Sequence, residues 1–528
     1  MNLETPTSWR DGVRYYLDKR LLTIFVFGIS SGFPAVMIGS AVTAWLKDVG
    51  YSRTDIGFFG LVFLAYSTNF LWSPVADRVR LPWLTRALGQ RRSWVLMMQA
   101  LVAVCCWAMS GVDLADDLLL AKSIALALAF FAATQDIAID AYRIDVVPEG
   151  DGKMMSAASA MATAGWWTGY AGLGAAPFIL VGRWDWGWAD MYVLMAAVVV
   201  LLMAFTWLAA SEPDNNRENG QQAAESRYAR VLGSKGEAKP LAMFVALMVM
   251  IALAVWSIIG KPGLAEEWRA STPLTLFIAM ADLAALAWMI RTLWRWESQA
   301  VEDASGRSAS RWDQRALIWL LTTFIEPLAE FFRRNGVQLA ASILLFIFLF
   351  KIGEAFLGKM SVVFYKEVGF TDEEIGIYSK AVTWWVTIVF SILGSLVNIR
   401  YGLYRGLMIG GIAMAASNLM FAALAMVGPS VPMLVSAVVV DGFTSAWSTV
   451  AFVAFLSVMC NRAFTAAQYA LMASLGTLGR TLLASYSGAL VDSLDGDWVM
   501  FFIITTLMIT PSLIFLTFLR VRLEAVLK

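Results

Sequence analysis

Trp45-Leu-Lys-Asp-Val-Gly-Tyr-Ser-Arg-Thr-Asp-Ile-Gly57 lines up, without a gap, with Phe364-Tyr-Lys-Glu-Val-Gly-Phe-Thr-Asp-Glu-Glu-Ile-Gly376. Lys, Val, two Gly and Ile are identical, and several other pairs are conservative. In both copies Ser or Thr precedes an acidic run, the pattern of a helix N-cap. Each copy sits between two long apolar runs. The duplication therefore concerns the frame of the molecule rather than a local motif.

Working outward, a membrane-crossing helix takes roughly 17–25 mostly apolar residues. Qualifying runs lie near 21–46, 55–76, 93–111, 119–141, 155–181 and 189–209, then 241–260 and 273–294. Six more follow near 337–358, 374–397, 404–427, 432–459, 464–491 and 498–519. The repeat occupies the same place, after the first run, in each block of six. The chain parses as a six-helix bundle over 1–210, an insertion over 211–336 and a second bundle over 337–528. The insertion comprises a solvated linker (211–239), an extra transmembrane pair and a helix near 311–334. That helix reads either as amphipathic on the cytoplasmic membrane surface or as a connector packed on protein. Of 528 residues 59% are hydrophobic and only 15% charged, against about 45–50% apolar residues in soluble domains. Two parallel six-span repeats are the construction of major facilitator superfamily transporters. The expected fold is an all-α polytopic membrane protein of that class with about 14 spans.

Charge narrows the function. Forty Lys and Arg balance forty Asp and Glu, so nothing points to nucleic acid. With no His, proton handling falls to carboxylates. Cys105, Cys106 and Cys460 offer neither a disulfide framework nor metal spacing. No Gly-rich nucleotide loop is present, so no enzyme activity, cofactor or metal is expected, and no obligate protein partner is inferred. The first apolar run reads as its own insertion signal. Arg78, Arg80, Arg86, Arg91 and Arg92 crowd one loop, and more Arg and Lys flank the inserted pair, whereas Asp113, Asp116 and Asp117 mark an opposite loop. The positive-inside rule then places both termini in the cytoplasm.

Charges inside the spans are the candidate working residues, since each costs about 2.5–3.5 kcal/mol at bilayer depth. Gln135, Asp136, Asp140 and Arg143 share a helix neighbourhood, with Asp140 and Arg143 spaced to pair. Lys351 and Glu354 are three apart; Lys380, Asp441 and Arg480 follow in later spans. Asp136, Asp140, Glu354 and Asp441 form the proton-coupling set. Lys351, Lys380 and Arg480, with Gln135, suit an anionic solute. Trp166, Trp167, Tyr170, Trp384 and Trp385 lie mid-span, where flat rings can stack on sugars. Asp77-Arg78 followed by Gly89-Gln-Arg-Arg92 resembles the gating loop of the major facilitator superfamily, stretched by an insertion. The resemblance implies a cytoplasmic gate of Asp77, Arg78, Arg91 and Arg92, in which an Asp at one helix end latches to an Arg on a neighbour. Gly28-Ile-Ser-Ser-Gly32-Phe-Pro34 is expected to bend or open the first helix.

Four stretches carry a more specific resemblance: Ile56 to Arg78, Gln135 to Pro148, Lys351-Ile-Gly-Glu354-Ala-Phe356, and Thr444 to Arg480. Together they resemble the AmpG-type muropeptide permeases of the major facilitator superfamily. The resemblance implies proton-driven import of anhydromuropeptides across the bacterial inner membrane, for murein recycling and β-lactamase induction. It implies muropeptide, protons and the lipid bilayer as partners, and Asp136, Asp140, Lys351, Glu354, Lys380 and Arg480 as working residues. Glu354 and Asp441 replace the family's Asp and Glu, keeping charge but changing reach. A carrier of the same fold for another anionic solute, a siderophore or acetyl-CoA, is the alternative.

Overall fold

The computed structural model describes residues 8–51, 59–184, 186–213, 217–233, 272–300, 312–371 and 374–526, with short runs between 242 and 256. Every described element is a helix. The chain divides into two compact units, one of Met1–Asp214, Val337–Asn461 and Thr465–Lys528, the other of Asn215–Gly336 with Arg462–Phe464.

In the first unit the long helices are α1 (Lys19–Val49), α2 (Gln90–Ser110), α3 (Leu118–Val146), α4 (Gly152–Trp167), α5 (Trp188–Leu208), α6 (Val337–Val368), α7 (Val382–Tyr401), α8 (Leu403–Val427), α9 (Val431–Val458), α10 (Thr465–Ala484) and α11 (Trp498–Leu507). Among the described residues nine helical stretches are long and apolar enough to cross a bilayer. Three other apolar runs are interrupted for local reasons. The 55–76 run breaks into short helical pieces, the last being Ser73–Arg78 with Pro74 near its start. After α4, the run Thr168-Gly-Tyr-Ala-Gly-Leu-Gly174 forms a π turn and a 3₁₀ turn before Ala176–Trp184. Its glycines are poor helix formers. Past α10 a turn at Ser485–Tyr486 precedes Ser487–Ser493. The 241–260 run lies largely outside the described residues.

The repeated sequence builds the same corner twice. Gly50 ends α1 at φ +99° and Gly369 ends α6 at φ +110°, a left-handed conformation that glycine adopts without Cβ strain. The Tyr51 N–H donates to the Leu46 carbonyl and the Phe370 N–H to the Tyr365 carbonyl, both at 3.0 Å, the six-to-one bond of a Schellman cap. Asp48 accepts from the Trp188 indole at 2.6 Å, and its counterpart Glu367 from the Trp498 indole at 2.8 Å. Each corner is thereby tied to the start of the sixth span of its own block. The acidic ends of both copies lie partly outside the described residues, at 52–57 and 372–373.

Of the expectation that Gly28 to Pro34 bends or opens the first helix, the opening is corrected. The helix runs unbroken over Lys19–Val36, and a π turn follows only at Met37–Ala41. The glycines let α1 and α4 touch backbone to backbone: a Cβ on Gly32 would lie 2.1 Å from the Trp166 carbonyl oxygen, and one on Gly165 2.2 Å from that of Phe25.

In the second unit the expected solvated linker is corrected as well. Arg217–Gly233 is a helix that buries Ala224, Tyr228, Val231 and Leu232. Its apolar side chains were hidden in a polar background of low mean hydropathy. Tyr228 and Leu232 pack with Leu317, Leu321, Ile325 and Ala329 of the segment Trp312–Asn335, and with Met289 of Thr272–Ala300. Protein therefore takes the apolar face of the 312–335 segment. Glu326, 1% exposed, anchors the packing. It accepts from Tyr228 Oη at 2.6 Å and Arg333 Nη1 at 3.2 Å, and also pairs with Arg227.

Candidate functional site: buried charges of the transport core

The first charge layer is built on Arg91, the second residue of α2, whose side chain is 1% exposed. Its Nη2 donates to Asp77 Oδ1 at 2.7 Å and its Nε to Asp145 Oδ2 at 2.8 Å. Asp77 in turn accepts from the backbone N–H groups of Ala466 (3.2 Å) and Ala467 (2.9 Å). These are among the orphan donors in the first turn of α10, where the helix dipole also favours an anion. Thr465 Oγ1 donates to Asp145 Oδ1 at 2.8 Å. A first-half carboxylate thus caps a second-half helix, and one guanidinium bridges two carboxylates. Arg92 serves differently: its Nη2 donates to the Trp207 carbonyl at 2.8 Å, at the end of α5. Arg78 is half-buried in the last turn of Ser73–Arg78. Sequence reading missed Thr465 and Glu212 as members of this layer. Glu212 accepts from the backbone N–H groups of Arg91 (2.9 Å) and Arg92 (3.0 Å), capping α2. Their signal, a hydroxyl or carboxylate beside a helix start, is visible only once the partner helix is known.

Next along α3, Arg143 pairs with Asp140 at 3.0 Å and donates to Ser159 Oγ (3.2 Å) and Ser457 Oγ (2.8 Å). Its guanidinium also lies 5.0 Å from the centre of the Tyr469 ring. Ser457 and Tyr469 belong to the second half, so Arg143 is another cross-half tie. Asp136 and Asp140 line a cavity of about 240 Å³ with Tyr66, Asn69, Tyr469, Ser474 and Thr477. Asp136 Oδ1 and the Tyr66 hydroxyl have no hydrogen-bond partner among the described residues. Gln135, facing the other way, donates from Nε2 to the Ser30 carbonyl at 2.6 Å and holds α3 to α1.

The second-half cluster forms at a break in α6. Lys351 caps the segment Ile352–Val368 and is 4% exposed. Its ammonium donates to Glu354 Oε2 (2.5 Å), Ser448 Oγ (2.8 Å) and Thr449 Oγ1 (2.9 Å). Met414 Sδ lies 3.5 Å from the same nitrogen, so three N–H donors face four acceptors and the ammonium is fully used. Ser445 donates to the other oxygen of Glu354. Asp441, one turn before Ser445 on α9, accepts from Ser417 Oγ at 2.9 Å. Arg480 is exposed on α10, one turn beyond the cavity residue Thr477, and lies within electrostatic reach of both Lys351 and Glu354. It has no hydrogen-bond or ion-pair partner among the described residues. The Lys380 side chain lies outside the described ones.

Trp166 stacks on Tyr170 at 4.9 Å and 22°, and both line a second cavity with Ser40, Thr43 and Phe63, of about 460 Å³. Trp167 stands edge-on to Trp166 at 5.5 Å. Trp384 approaches Gly172 from the second half, 3.2 Å from where a Cβ would stand. Trp385 instead heads an exposed row with Val389 and Leu393 at four-residue spacing.

Solved structures of this shape include the proton:xylose symporter XylE, a major facilitator superfamily protein (TM-score 0.55, 13% identity, 94% of each chain covered). The Escherichia coli fucose:proton symporter FucP is similar to the same degree (TM-score 0.55, 14% identity, 96% of this chain and 98% of that one). By sequence, residues 20–182 match the family model described as acetyl-coenzyme A transporter 1. The chain is 27% identical over 511 residues to a Rickettsia conorii protein described as transporter AmpG 4, covering 97% of this chain and 99% of that protein. It is 27% identical over 513 residues to the anhydromuropeptide permease of Escherichia coli K12, covering 97% of this chain and 82% of the permease. Fold and relatives together make this chain a multi-span membrane transporter with the major facilitator fold, related along nearly its whole length to the AmpG group.

Proposed function

We propose that the protein imports anhydromuropeptides, the sugar–peptide fragments of murein turnover, from periplasm to cytoplasm. The observation that carries this reading is the similarity to an anhydromuropeptide permease through both halves, including the stretches that supply the buried charges. Import would be driven by protons across the bacterial inner membrane, with both termini cytoplasmic. The basic loop around Arg78 to Arg92 supports that orientation, and it puts the Asp77–Arg91–Asp145 layer on the cytoplasmic side. The cargo's carboxylates would meet Arg480, Lys351 and Lys380, and its sugar the Trp166–Tyr170 wall. Asp136, with one oxygen unpartnered beside the cavity, is the favoured proton carrier. Glu354 and Asp441 would act through the Lys351 network: a proton on Glu354 weakens its hold on the Lys351 ammonium and frees that cation for an anionic cargo. In the cell this uptake would serve murein recycling and β-lactamase induction.

The match of residues 20–182 to an acetyl-coenzyme A transporter model gives a second reading, but it stops within the first half. The test is uptake of labelled anhydromuropeptide into oriented vesicles across an imposed pH gradient, with unlabelled acetyl-CoA as competitor. Gradient-dependent uptake that ignores acetyl-CoA is expected. Uptake indifferent to the gradient would sink proton coupling, and competition by acetyl-CoA with no muropeptide uptake would reverse the cargo assignment.

A further inference from the structure

The helix Trp9–Tyr15 precedes α1 and belongs by sequence to the first half, yet it packs on the second. Gly12 is buried, and a Cβ there would stand 3.4 Å from Leu396 Cδ2 and 3.7 Å from Ile399 Cγ2, both on α7. Trp9 meets the Tyr401 ring edge-on at 6.4 Å, and the Arg400 guanidinium lies 4.8 Å from the Trp9 ring centre. Tyr16 Oη hydrogen-bonds Ser395 Oγ, which is fully buried. At its other end the segment is tied to the first half. Asp18 caps α1 by accepting from the Arg20 N–H (2.8 Å) and holds the Arg20 side chain (Nη2 at 2.6 Å). Arg20 Nη1 donates to the Val146 carbonyl at 3.2 Å, one residue from Asp145 of the Asp77–Arg91–Asp145 charge layer, the latch between the halves. The segment and the latch therefore lie on the same side of the bundle. Its outward row, Trp9, Val13 and Leu17, is exposed at four-residue spacing beside the start of a membrane span. An aromatic and aliphatic row at that level suits the bilayer interface.

We propose that this segment is a strap: it holds the two halves together on the latch side, and opening there requires it to release α7. An aromatic edge, a cation over a ring and a part-buried hydroxyl pair are short-range contacts. They vanish together when the halves part by a few ångströms. The strap rests on the two-half fold and the latch, and is independent of which cargo is carried.

Two experiments on the full-length protein in vesicles test it. In the first, Gly12→Cys with Ile399→Cys is closed by oxidation. The native Cys105, Cys106 and Cys460 are buried. Uptake is expected to fall to background and to return on reduction; transport at the reduced rate with the bridge formed would overturn the proposal. The second needs no cargo. A cysteine at the cavity position Ser474 is labelled by an impermeant maleimide applied from the latch side. Trp9→Ala combined with Tyr16→Phe should speed labelling about tenfold, the loss of one cation–ring contact and one hydrogen bond. An unchanged labelling rate in folded protein refutes the strap. Faster labelling without any muropeptide uptake would leave the strap standing and remove the proposed cargo instead.

Discussion

Replacing Asp77 by Ala addresses the latch at the point where it joins the halves. The carboxylate pairs with Arg91, both side chains 1% exposed, and accepts two backbone N–H bonds from α10. Truncating one member of a buried charge pair costs about 3–5 kcal/mol, and a hydrogen bond to a charged group about 1.5–3 kcal/mol. Arg91 keeps Asp145, and water reaches the freed N–H groups once the halves part, so the lower end applies. About 3 kcal/mol is about a 150-fold shift toward the state open on the latch side. The two N–H bonds from α10 are the ones that bridge the halves, and at about 1.5 kcal/mol each they account for that shift in the opening equilibrium, whereas the Asp77–Arg91 pair lies within the first half and its loss belongs in the stability of that bundle. Labelling of a cysteine at Ser474 from the latch side reads that equilibrium, with thermal unfolding measured in parallel. Labelling unchanged within threefold, with the unfolding midpoint lowered, would refute the reasoning: Asp77 would then be a structural cap. Arg91→Lys should show a smaller shift of the same sign, since one ammonium cannot reproduce the planar fork that reaches Asp77 and Asp145 together.

Lys351→Ala should abolish uptake and lower the unfolding midpoint, because the half-buried Glu354 is left without its cation. Lys351→Met with Glu354→Gln should regain most of the midpoint but no uptake; recovered uptake would remove the pair from the transport machinery. Gly32→Ala should destabilise by about 1–3 kcal/mol through overpacking, read as a lowered unfolding midpoint, because its Cβ meets the Trp166 carbonyl. A midpoint equal to wild type would mean α1 and α4 do not touch there. The hydrogen bonds from Arg20 hold the Asp18 carboxyl below its ordinary value of 3.8. A depressed carboxyl stabilises above its unfolded value and loses that contribution as pH falls through the folded one. The N-terminal anchor should therefore weaken below about pH 4, and Asp18→Asn should flatten that part of the stability–pH profile; a profile unchanged by the substitution counts against it.

The sequence by itself determined the membrane-spanning helices, the duplicated frame and the identity of most buried charges. Each rests on something a short window carries: apolar length for a span, thirteen matched residues for the repeat, and the cost of an ion at bilayer depth. The Asp140–Arg143 and Lys351–Glu354 pairs were legible for the same reason, being neighbours on one helix turn. Only the tertiary structure decided which charges meet across hundreds of residues: Asp77 on the first turn of α10, Thr465 on Asp145, Ser448 and Thr449 on Lys351. It also turned the 217–233 stretch from an apparent linker into a packed helix, and the Gly28–Pro34 stretch from an apparent opening into a close contact with α4. In both places the deciding partner lies far along the chain. Local propensity is silent on which distant surface a helix meets, and that surface sets whether a glycine is a hinge or a seam.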